Sequence, residues 1–104
     1  MTSFDELAAT LLDRDGVSVG GRGFGSTALK VDGRIFAMSG EAGLVLKLPP
    51  ERVAALIAAG DGRSFDAGKG KPLKEWVVIP SSVVMRWREL AEEALVYVGA
   101  RPGR

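Results

Sequence analysis

The sequence predicts a small α+β domain, in which helices cover mainly one face of an antiparallel sheet of about five strands. Residues 26–48 alternate apolar and polar side chains with the period of two that is typical of strands. Residues 83–98 carry apolar side chains at the i, i+3, i+4, i+7 spacing of a helix. Strands grouped as hairpins, with helices between the groups, favour the order α-β-β-β-α-β-β-α.

The amino-acid composition excludes several classes of function. The 104 residues suffice for one domain, and a net charge of +1 provides no strong overall field for nucleic acid or a membrane. The chain contains neither cysteine nor histidine, which excludes disulfides, thiolate nucleophiles, histidine bases and the usual zinc sites. We therefore expect no enzyme activity, no cofactor and no metal. The sequence contains no apolar run of about 18 residues and no signal-peptide pattern, so we expect a cytoplasmic protein without a membrane partner.

The N-terminal segment predicts one helix and then a glycine-rich stretch. Ser3 and Glu6 match a capping box, and the apolar stripe that follows ends near Asp13. Residues 17–19 are compatible with a strand, but glycines at positions 20, 21, 23 and 25 interrupt it. Neither the dinucleotide fingerprint nor the Walker A spacing occurs there. We favour a bulged or flexible strand over a phosphate loop.

Residues 26–48 predict three antiparallel strands. Asp32-Gly33 suits a type I′ turn, which needs positive φ at both central residues. Strict alternation places one set of side chains beneath the helices: Leu29, Val31, Leu44, Leu46 and Leu48. The same alternation places Phe36, Met38 and Val45 on the opposite face. If helices cover only one face, these three residues form an interface with a partner or a second copy.

The second half predicts a helix, a hairpin and a longer helix. Pro50 suits the first helical position, Glu51 complements the helix dipole, and Gly60 suits the position after the helix. Strands are predicted at 64–66 and 75–79 around a basic loop. Ser81 or Ser82 is the expected N-cap of the last helix, which closes at Gly99. The domain is expected to span 1–98, followed by a flexible tail, 99–104.

Two groups of side chains invite a functional interpretation, and each also has a structural one. Arg63, Lys69, Lys71 and Lys74 form a local basic cluster, either a solvated loop or a contact site for nucleic acid or a partner. Trp76 and Trp87 either line a ligand pocket or pack in the core, and their positions within a strand and a helix stripe favour the core.

Four segments together resemble the N-terminal domain of the TfoX/Sxy family. They are Gly23-Phe24-Gly25; residues 31–37 (VDGRIFA); residues 44–51 (LVLKLPPE); and the run from Phe65-Asp66 through Gly70-Lys71-Pro72 to residues 76–80 (WVVIP). The resemblance covers residues 3–98 and is to a single-domain member. It departs from the family at residues 22–26, where RGFGS replaces a pattern similar to KMFGG.

The resemblance implies a compact α+β fold related to the YjbR-like and secretion-chaperone-like groups. It also implies a role in regulating competence or related transcription, with a transcription regulator or DNA as partner. We therefore expect a non-enzymatic accessory domain that acts through protein contacts or weak DNA contacts. The alternative is a dimeric protein-interaction or chaperone-like module with no nucleic-acid role.

Overall fold

The computed structural model describes residues 4–20, 28–40, 43–65 and 73–100. They form a six-stranded antiparallel sheet with strand order β1-β2-β3-β4-β6-β5 and three α-helices. The elements in chain order are α1 (Phe4–Leu11), β1 (Val17–Gly20), β2 (Ala28–Val31), β3 (Arg34–Gly40), β4 (Gly43–Lys47), α2 (Pro50–Ala58), β5 (Arg63–Ser64), β6 (Trp76–Pro80) and α3 (Trp87–Gly99). The predicted α+β class with an antiparallel sheet is confirmed.

The sheet has one strand more than predicted, because residues 17–20 do pair. β1 lies antiparallel to β2, with Val17 opposite Val31 and Gly20 opposite Ala28. Some predictions fall outside the described residues: the Ser3 cap, most of the glycine-rich stretch and the end of the tail. Within the described residues, no helix is long and apolar enough to cross a membrane.

The turn between β2 and β3 has the predicted geometry. Asp32 and Gly33 both have positive φ, at 53° and 83°, and Val31 pairs with Arg34 across the turn. Asp32 also donates its backbone N–H to the carbonyl of Gly16 at 3.0 Å, which ties the turn to the start of β1. Both central residues thus adopt the left-handed conformation that Asp and Gly tolerate best.

A β-bulge in β3 changes which side chains reach the core. Leu29 lies opposite Ala37, but the next residue of β2, Lys30, lies opposite Ile35, so Phe36 is the extra residue. Two residues of β3 therefore face one position of β2, and the alternation of side chains slips by one. Phe36 and Ala37 are both fully buried in the core beneath the helices. The predicted exposure of Phe36 is therefore wrong.

The predicted start and stop signals of α2 are confirmed. Pro50 occupies the first turn with Glu51 beside it. At the other end Gly60 has φ 85° and donates its backbone N–H to Ile57 O at 3.1 Å, while Asp61 donates to Leu56 O at 3.0 Å. This pair of bonds is a Schellman motif, and it satisfies carbonyls that the end of the helix leaves open.

The last helix begins differently from the prediction. Residues 81–86 form a 3-10 helix that begins after Pro80, and no side chain caps it, so the predicted N-cap role of Ser81 or Ser82 is wrong. Val83 has non-helical backbone angles, φ −113° and ψ 26°, which separates the first turn from α3. Trp87 then donates its indole N–H to the carbonyl of Pro80 at 3.3 Å, which fixes the start of α3 against β6.

All three helices pack on one face of the sheet, as predicted. The strands contribute a continuous apolar floor to this core: Leu29, Val31, Phe36, Ala37, Leu44, Leu46, Val77 and Ile79, with Leu48 just beyond β4. α3 lies across the middle of that floor and buries Trp87, Leu90, Ala91, Ala94, Leu95 and Val98. We call the opposite face of the sheet the helix-free face.

Candidate interaction surface

The helix-free face is defined by the residues that alternate with the core positions. One row crosses four strands, because Met38 pairs with Val45, Val45 with Val78, and Val78 with Arg63. A neighbouring row holds Lys30 opposite Ile35, and Lys47 opposite Trp76. The face is therefore apolar in its middle row and carries cations and an aromatic ring beside it.

Trp76 is the central aromatic side chain of this face. The ammonium of Lys47 lies over its ring, 5.6 Å from the ring centroid, which is within cation–π range. The ring of Phe65, the residue after β5, lies 6.4 Å from the Trp76 ring between centroids and is tilted by 52° to it. Phe65 is held there because its carbonyl accepts a bond from Leu73 N at 2.8 Å. We call these three side chains the Trp76 cluster.

Four cations on or beside this face lack a carboxylate partner. Lys30 and Lys47 are half-buried on the face, Arg63 is exposed on the edge strand β5, and Lys74 is exposed in the turn before β6. None of them forms an ion pair in the part of the chain that the structure describes. No described carboxylate therefore neutralises these four charges, of which Lys47 lies over the Trp76 ring.

On the helix side, by contrast, cations are matched by carboxylates. The contacts there are Arg14–Glu92 at 2.6 Å, Arg52–Glu93 at 2.9 Å, Arg86–Asp61 at 2.7 Å and Arg88–Glu92 at 3.5 Å. A side-chain hydrogen bond to Glu89, supported by Asp61, raises the pKa of Arg86, so this guanidinium stays charged. Among the described residues, the cations without a carboxylate partner therefore lie on or beside the helix-free face, although the whole chain carries a net charge of only +1.

The structure places some of the predicted contact residues together and separates others. Arg63 and Lys74 are exposed near the Trp76 cluster, whereas Lys69 and Lys71 lie outside the described residues. Of the predicted interface, Met38 is half-buried on the helix-free face, as expected. Val45 is on that face too, but only 3 % of it is exposed, and Phe36 belongs to the opposite side. Of the three predicted interface residues, Met38 is thus the one with an exposed part on this face, and its contact with a partner stays a prediction.

The two tryptophans have different environments. Trp87 is buried in the core, as predicted. Trp76 is only half-buried and lies outside the core cluster, so its predicted core position is wrong. Lys30, Lys47 and Phe65 were not singled out from the sequence. Lys47 meets Trp76 through the register of β4 and β6, which the sequence does not reveal.

A groove lies between α2 and α3. This open groove of about 590 Å³ has Leu48, Pro49 and Val96 among its apolar walls, and Val96 is 65 % exposed. Arg52 crosses one end with two parallel bonds to Glu93, both at 2.9 Å. Tyr97 donates its hydroxyl to Glu75 Oε1 at 2.9 Å. The Arg52–Glu93 ion pair at the groove joins α2 to α3.

The described residues contain no group of three or more carboxylate, histidine or cysteine side chains placed to hold a metal ion. No family model matches the chain, and neither the curated proteins nor the solved structures give a match, so the resemblance to the TfoX/Sxy family stays a prediction.

Proposed function

We propose that this chain is a non-enzymatic accessory domain of gene regulation, of the TfoX N-terminal type, that contacts nucleic acid through its helix-free face. The observation that carries the proposal is the asymmetry of charge pairing. Within the described ranges, Lys30, Lys47, Arg63 and Lys74 form no ion pair, while Arg14, Arg52, Arg86 and Arg88 on the helix side each contact a carboxylate. Unpaired cations beside an aromatic ring suit a polyanion that also carries flat bases.

The expected affinity is low and depends on salt. With a net charge of +1, the whole molecule adds little to the attraction, so binding depends on the few local cations. If three of them neutralise phosphates of duplex DNA, log K should fall with log salt at a slope of about −2.7. Contacts of this kind position a protein on the backbone and carry no sequence information by themselves.

Fluorescence anisotropy with a labelled oligonucleotide, titrated at several salt concentrations, tests the proposal. A Lys47→Gln/Arg63→Gln variant should bind more weakly and should lose about 1.8 units of the salt slope on duplex DNA. The matched control is Arg14→Gln/Arg88→Gln, which removes the same charge from the helix side. Equal weakening by both variants would show that only net charge matters, and the proposed surface would be wrong.

The alternative proposal is a dimeric interaction or chaperone-like module that does not bind nucleic acid. Its specific support is β1, an edge strand whose Val19 is 47 % exposed and whose outer side pairs with no described strand. An exposed apolar edge is suited to pairing with another chain. A transcription regulator as protein partner is a separate proposal. A pull-down with wild-type protein and the Lys47→Gln/Arg63→Gln variant tests whether such a partner uses the same face.

A further inference from the structure

We propose that the nucleic acid bound by the helix-free face is single-stranded, with a base stacked on Trp76 and Lys47 moved from the ring to a phosphate. This inference rests on the proposed function and specifies its ligand. It requires an aromatic ring that a base can reach, cations positioned around that ring, and a surface that duplex DNA cannot cover equally well.

The shape of the surface favours a single strand. From β2 with Lys30 to β5 with Arg63 the sheet crosses four inter-strand spacings, about 19 Å at 4.8 Å each. A face of that width does not enter a major groove about 12 Å wide. Duplex DNA would therefore contact the cations, Lys47 among them, through its phosphates and would stack no base on Trp76. A single strand can lie across the face and turn its bases toward the ring.

Trp76 is half-buried on the helix-free face, and the side chain of Lys47 lies over its ring. The Lys47 ammonium lies 5.6 Å from the ring centroid, on a flexible four-carbon stem. A base that stacks on the ring takes the place of the ammonium, which then reaches a phosphate of the same strand. Phe65 packs against Trp76 at 6.4 Å between centroids and restricts the tilt of the ring.

The two tryptophans make stacking measurable. Trp87 is buried and donates its indole N–H to Pro80, so a bound base does not reach it. In a Trp87→Phe variant, tryptophan fluorescence then reports on Trp76 alone, because the chain contains two tryptophans. We expect a single-stranded oligothymidylate of about twelve nucleotides, within the usual site sizes, to quench this fluorescence on binding. The same length of duplex should leave it unchanged.

Variants separate stacking from charge. Trp76→Leu should weaken single-strand binding by about 5- to 140-fold, the range expected for loss of one stacked base. Trp76→Phe keeps an aromatic face and should retain most of the affinity, and it also serves if the leucine variant does not fold. Lys47→Arg keeps the charge and should bind like wild type, whereas Lys47→Met should lower the salt slope on a single strand by about 0.7. Circular dichroism checks that each variant is folded.

Each outcome decides between the inference and the proposed function. Quenching by the single strand alone, together with weaker binding of Trp76→Leu, supports the inference. Binding without quenching, with equal affinity of Trp76→Leu, overturns the inference and leaves a surface that binds phosphates only. Equal quenching by duplex DNA also overturns it. If neither form of nucleic acid binds at low salt, the inference and the proposed function are both wrong.

Discussion

Gly43 lies so close to the carbonyl of Ile79 that a methyl group on its Cα would come within 2.3 Å of that oxygen. Its φ of 146° is one that residues with a side chain rarely adopt. Gly43 is thus required by the approach of β4 to β6 at the start of β4, where it pairs with Pro80.

The first prediction concerns this contact. Gly43→Ala should destabilise the domain by roughly 2–5 kcal/mol, because backbone strain and overpacking both contribute. The measurement is the free energy of unfolding in urea. Gly99→Ala is the matched control, since its added methyl meets Val31 at an ordinary 3.4 Å. That control should be neutral or slightly stabilising, and equal losses in both variants would contradict the prediction.

The second prediction tests the bulge in β3. Phe36→Ala should cost roughly 3–5 kcal/mol of unfolding free energy, because it empties a fully buried site under the helices. Met38→Ala, two residues along the same strand on the half-buried helix-free face, should cost clearly less. A regular strand without the bulge would place both residues on one face, and similar losses for the two variants would support that strand instead.

The third prediction concerns the ion pair that joins α2 to α3. Arg52 and Glu93 meet through two bonds, with side chains 34 % and 40 % exposed, so solvent screens the pair substantially. A double-mutant cycle with Arg52→Met and Glu93→Gln should give a coupling of about 0.5–1 kcal/mol that declines in high salt. The Arg88–Glu92 pair, longer at 3.5 Å and with Arg88 68 % exposed, should give less. A stronger coupling for the longer pair would contradict the prediction.

The fourth prediction concerns the state of association. The large apolar side chains exposed among the described residues are scattered over different elements: Leu12, Val19, Ile57, Leu73, Met85 and Val96. Isolated exposed apolar residues are ordinary on monomers. We therefore expect a monomer in sedimentation at micromolar concentration. A dimer that Val19→Lys dissociates would instead establish β1 as an interface and favour the alternative function.

Local signals in the sequence predicted the parts of the fold that depend on a few neighbouring residues. The Asp32-Gly33 turn, the Pro50 start and Gly60 stop of α2, and the apolar stripe of α3 all follow from backbone preferences or helical periodicity. The sequence did not decide whether residues 17–20 form a strand, because glycines at positions 20, 21, 23 and 25 interrupt the apolar pattern that begins there. The pairing of this segment depends on β2, which is a tertiary contact.

The errors share a physical cause. A single extra residue at Phe36 reverses the faces of Ile35 and Phe36, and the sequence does not mark the bulge with a glycine or proline. The Trp76 cluster was missed because Lys47 and Trp76 are distant in the chain and meet only through the register of β4 and β6. Neither the position of a bulge nor a strand register follows from periodicity alone.

Among the described residues, the cations that pair with carboxylates lie on the helix side and those without such a partner lie on the other, an asymmetry that the composition does not reveal. A formal net charge of +1 predicts almost no long-range electrostatic attraction to other molecules. With Lys30, Lys47, Arg63 and Lys74 unneutralised by any described carboxylate, attraction to a polyanion would orient the helix-free face toward it before contact, at separations up to about 10 Å at moderate ionic strength. The arrangement of charges would then control the orientation in which the domain approaches a polyanion more than the strength of the attraction.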